Sequence, residues 1–378
     1  MPHQTSPLSS PASTALPISS VCQHTAGRLP TLLLPVRAML LAALLTACGG
    51  GGGAGGDKKV PTPDSYVSIL SQQPPDPGYT GSEKAVYDLF NSERARCGFG
   101  YLTRNTKIDQ AALAHTRWQL LNLNREIAHT EISGTAGFTG VKVWDRVVVA
   151  GYDYRIVGEV IGANYDYAGV AGGDAFGRDA SIEAARGLLA APYHALGILG
   201  QSGVAEMGIG FQYDSKLDVV NVGSTPLNRY FGVLTVNFGL PSGAQEQSLG
   251  ADVVATYPCD GTRGVDYQMN GETPNPVPSR NLLVNPIGHP IYVMVAQGHT
   301  LSIDNASVRS AGGTNVTLLP TLIATTDTNA KLTSEPHVAA IMPSAPLQPN
   351  TSYSVLITGK NNGTPFTRQF SFTTGAGG

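Results

Sequence analysis

Two histidines and one glutamate are the residues of this chain whose chemistry is most informative. His129, Glu159 and His194 stand at intervals along one stretch of the sequence. Imidazoles together with a carboxylate can hold a divalent metal, place a proton donor near neutral pH, or simply hydrogen-bond one another. The three residues are therefore candidate site residues, with metal ligation, proton transfer and a purely structural contact as the alternatives.

Two amphipathic helices precede this trio, and a strand follows it. Apolar residues recur at helical spacing from Ser82 to about Arg96, and again from about Asp109 to Asn124. His115 falls within the second helix, one turn from Ala112, and its position is more typical of a packing or helix-face histidine than of a ligand.

A series of short motifs runs through the same region in a fixed order. These are Leu89 to Arg94, Gly100 to Leu102, Ala111 to His115, His129, Asp145 with Arg146, Gly151 with Tyr152, Gly158 with Glu159, Ala191 to His194, Glu206 to Gly210, and the strand Phe231 to Phe238. The series resembles the bacterial branch of the CAP superfamily (cysteine-rich secretory proteins, antigen 5 and pathogenesis-related proteins), also called the SCP domain. The resemblance covers residues 82–240 and implies an α-β-α sandwich in which the trio lines one cavity.

Three positions depart from the family pattern. Val160 follows Glu159 where the family prefers Asn, Leu188 stands in place of a usual Trp, and Ala191 falls where many members carry a fourth cavity residue, a glutamate. The resemblance then implies three side-chain ligands, His129, Glu159 and His194, which suffice for a zinc ion with one open position. A hydrogen-bonded polar cluster without metal is the alternative.

The first part of the chain has the pattern of a lipoprotein leader. Arg37 precedes an apolar run that is too short to span a membrane, and the run ends in a lipobox-like segment at Cys48. We expect residues 1–47 to be a signal peptide, Cys48 to be lipidated, and the glycine-rich residues 48–81 to form a flexible tether. A soluble signal peptide with an incidental cysteine is the alternative.

Cys97 and Cys259 are the two cysteines that remain for the folded part. In an exported protein such a pair is a disulfide candidate, worth about 5 kcal/mol for a loop of this length on the chain-entropy model. Free buried thiols are the alternative.

The C-terminal part has a β pattern. Residues 241–283 are rich in Gly, Pro and Asn and are expected to be a connector, whereas residues 284–375 contain short alternating runs separated by turns. In the last of these runs Tyr353, Val355 and Ile357 share one face. The segment from Leu347 to Tyr353 resembles the tyrosine corner of immunoglobulin-like folds, and we expect an Ig-like antiparallel β-sandwich. The whole chain is thus expected to be of the α+β class.

Composition and motifs narrow the function. The net charge is −3 and the Lys and Arg residues are dispersed, so the sequence shows no cluster of basic residues that would bind nucleic acid. We expect an exported, membrane-anchored lipoprotein of the bacterial cell envelope. Its cavity would bind a small apolar or peptide-like ligand, with or without a divalent metal such as zinc.

Two other functions stay open. One is a metal-dependent hydrolase, a peptidase, with Glu159 as third ligand or general base beside His129 and His194. The other is an adhesion or structural role of the C-terminal domain. No serine or cysteine is visibly paired with either histidine, which favours binding, and no catalytic residue is assigned.

Overall fold

The architecture is α+β, as predicted, with an α-β-α region followed by a C-terminal region of β-sheets. The structure is a computed structural model that describes residues 19–25, 66–68, 72–75, 77–169, 178–200, 203–214, 218–222, 225–269 and 271–376. In these ranges the helices are α1 Gly81–Arg96, α2 Thr106–Asn122, α3 Val143–Val149, α4 Arg178–Ala190 and α5 Pro192–Leu199.

A mixed sheet forms the central layer. Its strands are β1 Ser19–Thr25, β3 Thr103–Arg104, β4 Tyr154–Gly169, β5 Glu206–Tyr213, β6 Asp218–Val222 and β7 Thr225–Pro241. The order is β1-β4-β7-β5-β3, and β6 pairs with β7. Because β7 runs antiparallel to both β4 and β5, it is the central strand that fixes the register of the others. Two short strands, β2 Tyr66–Ser68 and β8 Glu246–Ser248, pair separately.

The two faces of this sheet carry different helices. Side chains of α1, α4 and α5 pack with Val160, Val236 and other residues of one face in the main core. On the opposite face, α2 packs directly on β5. The two backbones are so close that a Cβ atom at Gly208 or Gly210 would overlap the α2 backbone. Glu159 belongs to this second face, since its neighbours along β4, Val157 and Ile161, pack in the smaller clusters there.

Helix α1 is tied to the sandwich by two buried polar side chains. The guanidinium of Arg94 donates to the carbonyl oxygens of Gly100, Phe99 and Ile198. The amide of Asn91 exchanges two hydrogen bonds with the Leu102 backbone, at 2.8 and 3.0 Å. These bonds fix the turn after α1.

Helix boundaries differ slightly from those predicted. Helix α1 starts at Gly81 rather than Ser82. Helix α2 starts at Thr106 rather than Asp109, because the Asn105 side chain accepts from the Lys107 and Ile108 amides and caps the helix there.

Two main sheets make up the C-terminal region. Its strands are β9 Ala255–Tyr257, β10 Thr262–Val265, β11 Gln268–Met269, β12 Ile287–Gly288, β13 Ile291–Met294, β14 Leu301–Ser310, β15 Val338–Ile341, β16 Ser352–Asn361 and β17 Thr364–Thr374. One sheet has the order β10-β17-β16-β14 and the other β15-β13-β9. Residues 241–283, expected as a connector, therefore supply a strand to each sheet.

Strands β16 and β17 follow the period of two expected from their sequence. Tyr353, Val355 and Ile357 are buried, and Asn362 and Gly363, with positive φ angles of 49° and 85°, form the turn between the strands. The Tyr353 hydroxyl accepts a hydrogen bond from the Gln348 amide at 2.7 Å, which is the contact that defines a tyrosine corner.

Cys97 and Cys259 form a disulfide, with their Cα atoms 5.4 Å apart across 162 residues of sequence. The bond links the end of α1 to the segment between β9 and β10. It is consistent with an exported protein. In the described ranges, no helix has both the length and the hydropathy needed to cross a bilayer.

The predicted lipidation site Cys48 and the glycine-rich tether lie outside the described residues. Ser19–Thr25, part of the predicted leader, is described as strand β1 beside β4. Cleavage before Cys48 would remove β1 from the mature chain, and the leader itself stays a prediction.

Candidate functional site

Glu159 is the fully buried centre of a polar cluster. Its carboxylate accepts two hydrogen bonds from Nη2 of Arg146, at 2.8 Å to Oε1 and 2.7 Å to Oε2. Burial on its own would raise the pKa of Glu159, but the positive charge of Arg146, with smaller effects of two histidines, outweighs it and holds the pKa below its usual range. Glu159 is therefore ionised and only accepts hydrogen bonds.

His129 is oriented by this carboxylate. Its Nδ1 lies 2.9 Å from Glu159 Oε1. Because an ionised carboxylate has no hydrogen to give, Nδ1 of His129 must carry the hydrogen of this bond. Nε2 of His129 is buried and has no hydrogen-bond partner in the described part of the chain.

His194 is oriented in the same way by a different carboxyl group, that of Glu272, whose pKa burial raises well above its usual value. Nδ1 of His194 lies 3.0 Å from Oε1 of Glu272. The same oxygen accepts the backbone N–H groups of Tyr193, at 2.7 Å, and of His194, at 3.2 Å. An oxygen that already accepts two N–H groups is an acceptor for the third as well, so Nδ1 of His194 carries a hydrogen.

Nε2 of His194 is again buried without a partner among the described residues. Burial first, and the charge of His129 second, hold the pKa of His194 well below its usual range, so this imidazole is neutral and its Nε2 has a free lone pair. The effect of His129 places the two rings within electrostatic range of one another. We call these two unpartnered Nε2 atoms, of His129 and His194, the two-histidine site.

His115 lies beside this site but does not share its chemistry. It is fully buried, with Nδ1 2.9 Å from Glu131 Oε1 and Nε2 2.8 Å from the Ala128 carbonyl oxygen. Hydrogen bonds from His115 and the Thr139 amide outweigh burial and lower the pKa of Glu131. Both ring nitrogens of His115 thus have hydrogen-bond partners, unlike those of His129 and His194. Its role is to hold the loop that carries His129, in agreement with the structural role favoured by its sequence position.

Arg146 holds the same loop from the other side. Its Nη1 donates to the carbonyl oxygens of His129, at 3.2 Å, and of Gly140 and Val141, both at 3.4 Å. One side chain thus binds both the carboxylate that orients His129 and the backbone of His129 itself. Sequence reasoning noted Arg146 only as a family landmark, although a buried arginine always needs such partners.

Asn237 is a further buried residue next to Glu159. The two residues are directly paired between β7 and β4, so their side chains share one face of the sheet. Neither amide atom of Asn237 has a hydrogen-bond partner in the described residues.

The expected metal ligands fit a divalent ion only in part. The two Nε2 atoms are suitable donors, but both Glu159 oxygens accept from Arg146, so coordination through Glu159 would require that ion pair to open. Among the described residues, no three His, Cys, Asp or Glu side chains are arranged as a metal-binding group. Metal binding stays a prediction, and two imidazoles are fewer protein ligands than catalytic zinc usually has.

Glu206 lies away from the trio. It accepts hydrogen bonds from the Tyr152 hydroxyl at 2.7 Å and from the Asn105 side chain at 3.2 Å. The residue therefore ties the start of β5 to the start of α2, and it has no direct contact with the two histidines.

No protein-family model matches the chain, and no curated protein is similar to it in sequence.

Proposed function

We propose that this protein is a CAP-like binding protein of the bacterial cell envelope, exported and anchored through lipidated Cys48. Its ligand is a small apolar or peptide-like molecule that meets the two-histidine site, with or without a divalent metal. The α-β-α architecture and the order of the sequence motifs support this family assignment.

One observation carries the proposal: two imidazoles each have Nδ1 fixed by a carboxyl group and a buried Nε2 atom that has no partner among the described residues. A buried polar atom without a partner is costly, by about 1–3 kcal/mol. This cost is removed at both histidines if a ligand group that donates a hydrogen bond, or a metal ion, binds each Nε2 atom.

The state of Glu159 favours binding over hydrolysis. A general base needs an oxygen that is free to take a proton from water. Both oxygens of Glu159, the general base considered for a hydrolase, are held by Arg146.

The test is a titration of the full-length chain with two probes. Zn²⁺ binding is measured by calorimetry, and apolar binding by the fluorescence of N-phenyl-1-naphthylamine. We expect the wild type to bind at least one probe, and both His129→Ala and His194→Ala to lose that binding. His299→Gln, which changes a histidine that bonds Asn361 in the C-terminal region, serves as the matched control and should bind as the wild type does. Binding that survives both alanine variants, or no binding of either probe by the wild type, would refute the proposal.

A further inference from the structure

We infer that Glu272, which follows the sandwich region in sequence, is the positioning residue that presents Nε2 of His194 to the ligand. The inference rests on the proposed function and adds to it that the C-terminal half of the chain completes the site. A residue from outside the α-β-α region thus does for His194 what Glu159 does for His129.

The first step of the argument concerns the start of α5. Ala191 precedes this helix and has no side chain that can cap it, and Pro192 occupies its first turn. The next two backbone N–H groups, of Tyr193 and His194, belong to the set that an α-helix leaves without internal partners. Glu272 Oε1 accepts both of them, so a residue distant in sequence performs the capping that Ala191 cannot.

The second step concerns the ring. The oxygen that caps α5 is the same one that lies 3.0 Å from Nδ1 of His194. Main chain and ring are therefore held by one atom, which fixes both the direction of the imidazole and its tautomer. Carboxylates that bind the far nitrogen of a ligating histidine commonly have this orienting effect.

The third step concerns the contacts of Tyr193, the residue before His194. The Tyr193 hydroxyl donates to Asp327 Oδ1 at 2.6 Å and accepts from Asn329 Nδ2 at 3.0 Å. Asn329 Nδ2 also donates to the Asn275 carbonyl oxygen at 2.7 Å. The start of α5 is thus clamped between the segment that carries Glu272 and the loop around Asp327.

The sequence explains why such a residue is needed. Within the α-β-α region, Ala191 lies close to His194 in sequence but has no carboxyl group that could bind its ring. Glu272 supplies a carboxyl group to the neighbouring histidine from the segment that follows the sandwich, so the C-terminal region is part of the site rather than a spacer.

The experiment uses the full-length chain labelled with ¹⁵N-histidine. Long-range ¹H–¹⁵N spectra distinguish a histidine with hydrogen on Nδ1 from one with hydrogen on Nε2, and the His194→Gln spectrum identifies the His194 signals. We expect hydrogen on Nδ1 of His194 in the wild type. In Glu272→Ala we expect loss of that single tautomer, because the acceptor of the bond is gone.

Two further variants separate positioning from folding. Glu272→Gln keeps an acceptor oxygen and should retain hydrogen on Nδ1. Glu272→Ala combined with Ala191→Ser restores a local cap without restoring the contact to the ring, so the tautomer should stay mixed even if stability recovers. Glu246→Ala, the loss of a partly buried carboxyl group away from His194, should leave His194 unchanged.

Affinity for Zn²⁺ is the second measurement. Loss of an orienting carboxylate typically weakens metal binding about 10- to 100-fold, and we expect this for Glu272→Ala but not for Glu246→Ala. A His194 tautomer that is the same in Glu272→Ala and wild type would overturn the inference. If Glu272→Ala does not fold, hydrogen on Nε2 in Glu272→Gln would overturn it instead. If the wild type binds neither probe, the proposed function is refuted. The role of Glu272 is still decided by the histidine spectra, because they do not depend on binding.

Discussion

A single nitrogen of Arg146 bonds both oxygens of Glu159, at 2.8 and 2.7 Å, and both side chains are completely shielded from solvent. This ion pair positions His129. The His129 ring donates a hydrogen bond to Glu159, and the His129 carbonyl oxygen accepts one from Arg146.

Removal of Arg146 should therefore be severe. In Arg146→Met the buried carboxylate of Glu159 loses its main counter-charge, and breaking such a pair costs about 3–5 kcal/mol. Urea unfolding at pH 7 measures the effect. Arg155→Met, which breaks a half-exposed ion pair with Glu246, should cost less than about 1 kcal/mol. Equal losses in the two variants would contradict a special role for the buried pair.

Stability should fall in acid through the same carboxylate. The pKa of Glu159 lies below its usual range in the folded state, so its contribution is present above the pKa of the unfolded chain, near 4.5, and is lost as the pH falls toward the folded value. Glu131, whose pKa is also lowered, acts in the same direction. We expect the stability difference between wild type and Glu159→Gln to be largest at pH 6–7 and to shrink below about pH 4. The measurement is urea unfolding at a series of pH values, with Glu83→Gln on the surface of α1 as control. A difference that is independent of pH would speak against an ionised Glu159.

The Cys97–Cys259 bond should contribute strongly to stability. It closes a loop of 162 residues, and removal of a native disulfide typically costs about 2–5 kcal/mol. We expect this loss in the double variant Cys97→Ser and Cys259→Ser, measured by urea unfolding. The wild type in reducing agent should approach the same stability, and a wild type that is insensitive to reduction would argue that the bond contributes little.

Gly208 should tolerate no side chain. A carbon added at this residue would overlap the backbone of α2 near Ile108 and Asp109, and overpacking of this kind costs about 1–3 kcal/mol. Gly208→Ala should therefore lower the unfolding temperature and disturb the helix that carries His115. Gly312→Ala, where the added carbon lies 3.9 Å from its nearest neighbour, is the control and should be near neutral.

The sequence predicted the elements whose patterns are long and regular. Helix α1 lies within one residue of its expected bounds and β16 contains the expected run from Tyr353 to Ile357, because burial on one face repeats at the helical or strand period. The start of α2 was placed too late, since a capping asparagine at position 105 was not recognised. Strands β9 and β10 are only three and four residues long and leave no periodic signal in a Gly- and Pro-rich segment.

The sequence indicated the candidate residues His129, Glu159 and His194 but not the residue that orients His194. Glu159 and His129 are in contact as expected, and His194 lies within electrostatic range of His129. Glu272 was missed because it meets His194 across 78 residues of sequence, and no local pattern reports such a contact. The sequence offered only the presence of an acidic residue in a chain with 13% charged residues, and this does not single out Glu272.

The disulfide also bears on how the site is held together. Cys259 belongs to the same segment as Glu272, so the bond to Cys97 holds that segment near the α-β-α region. Without this covalent link, only non-covalent contacts keep the acid beside the helix. Reduction of the disulfide would therefore loosen the contact between Glu272 and His194 as well as lower the stability of the fold.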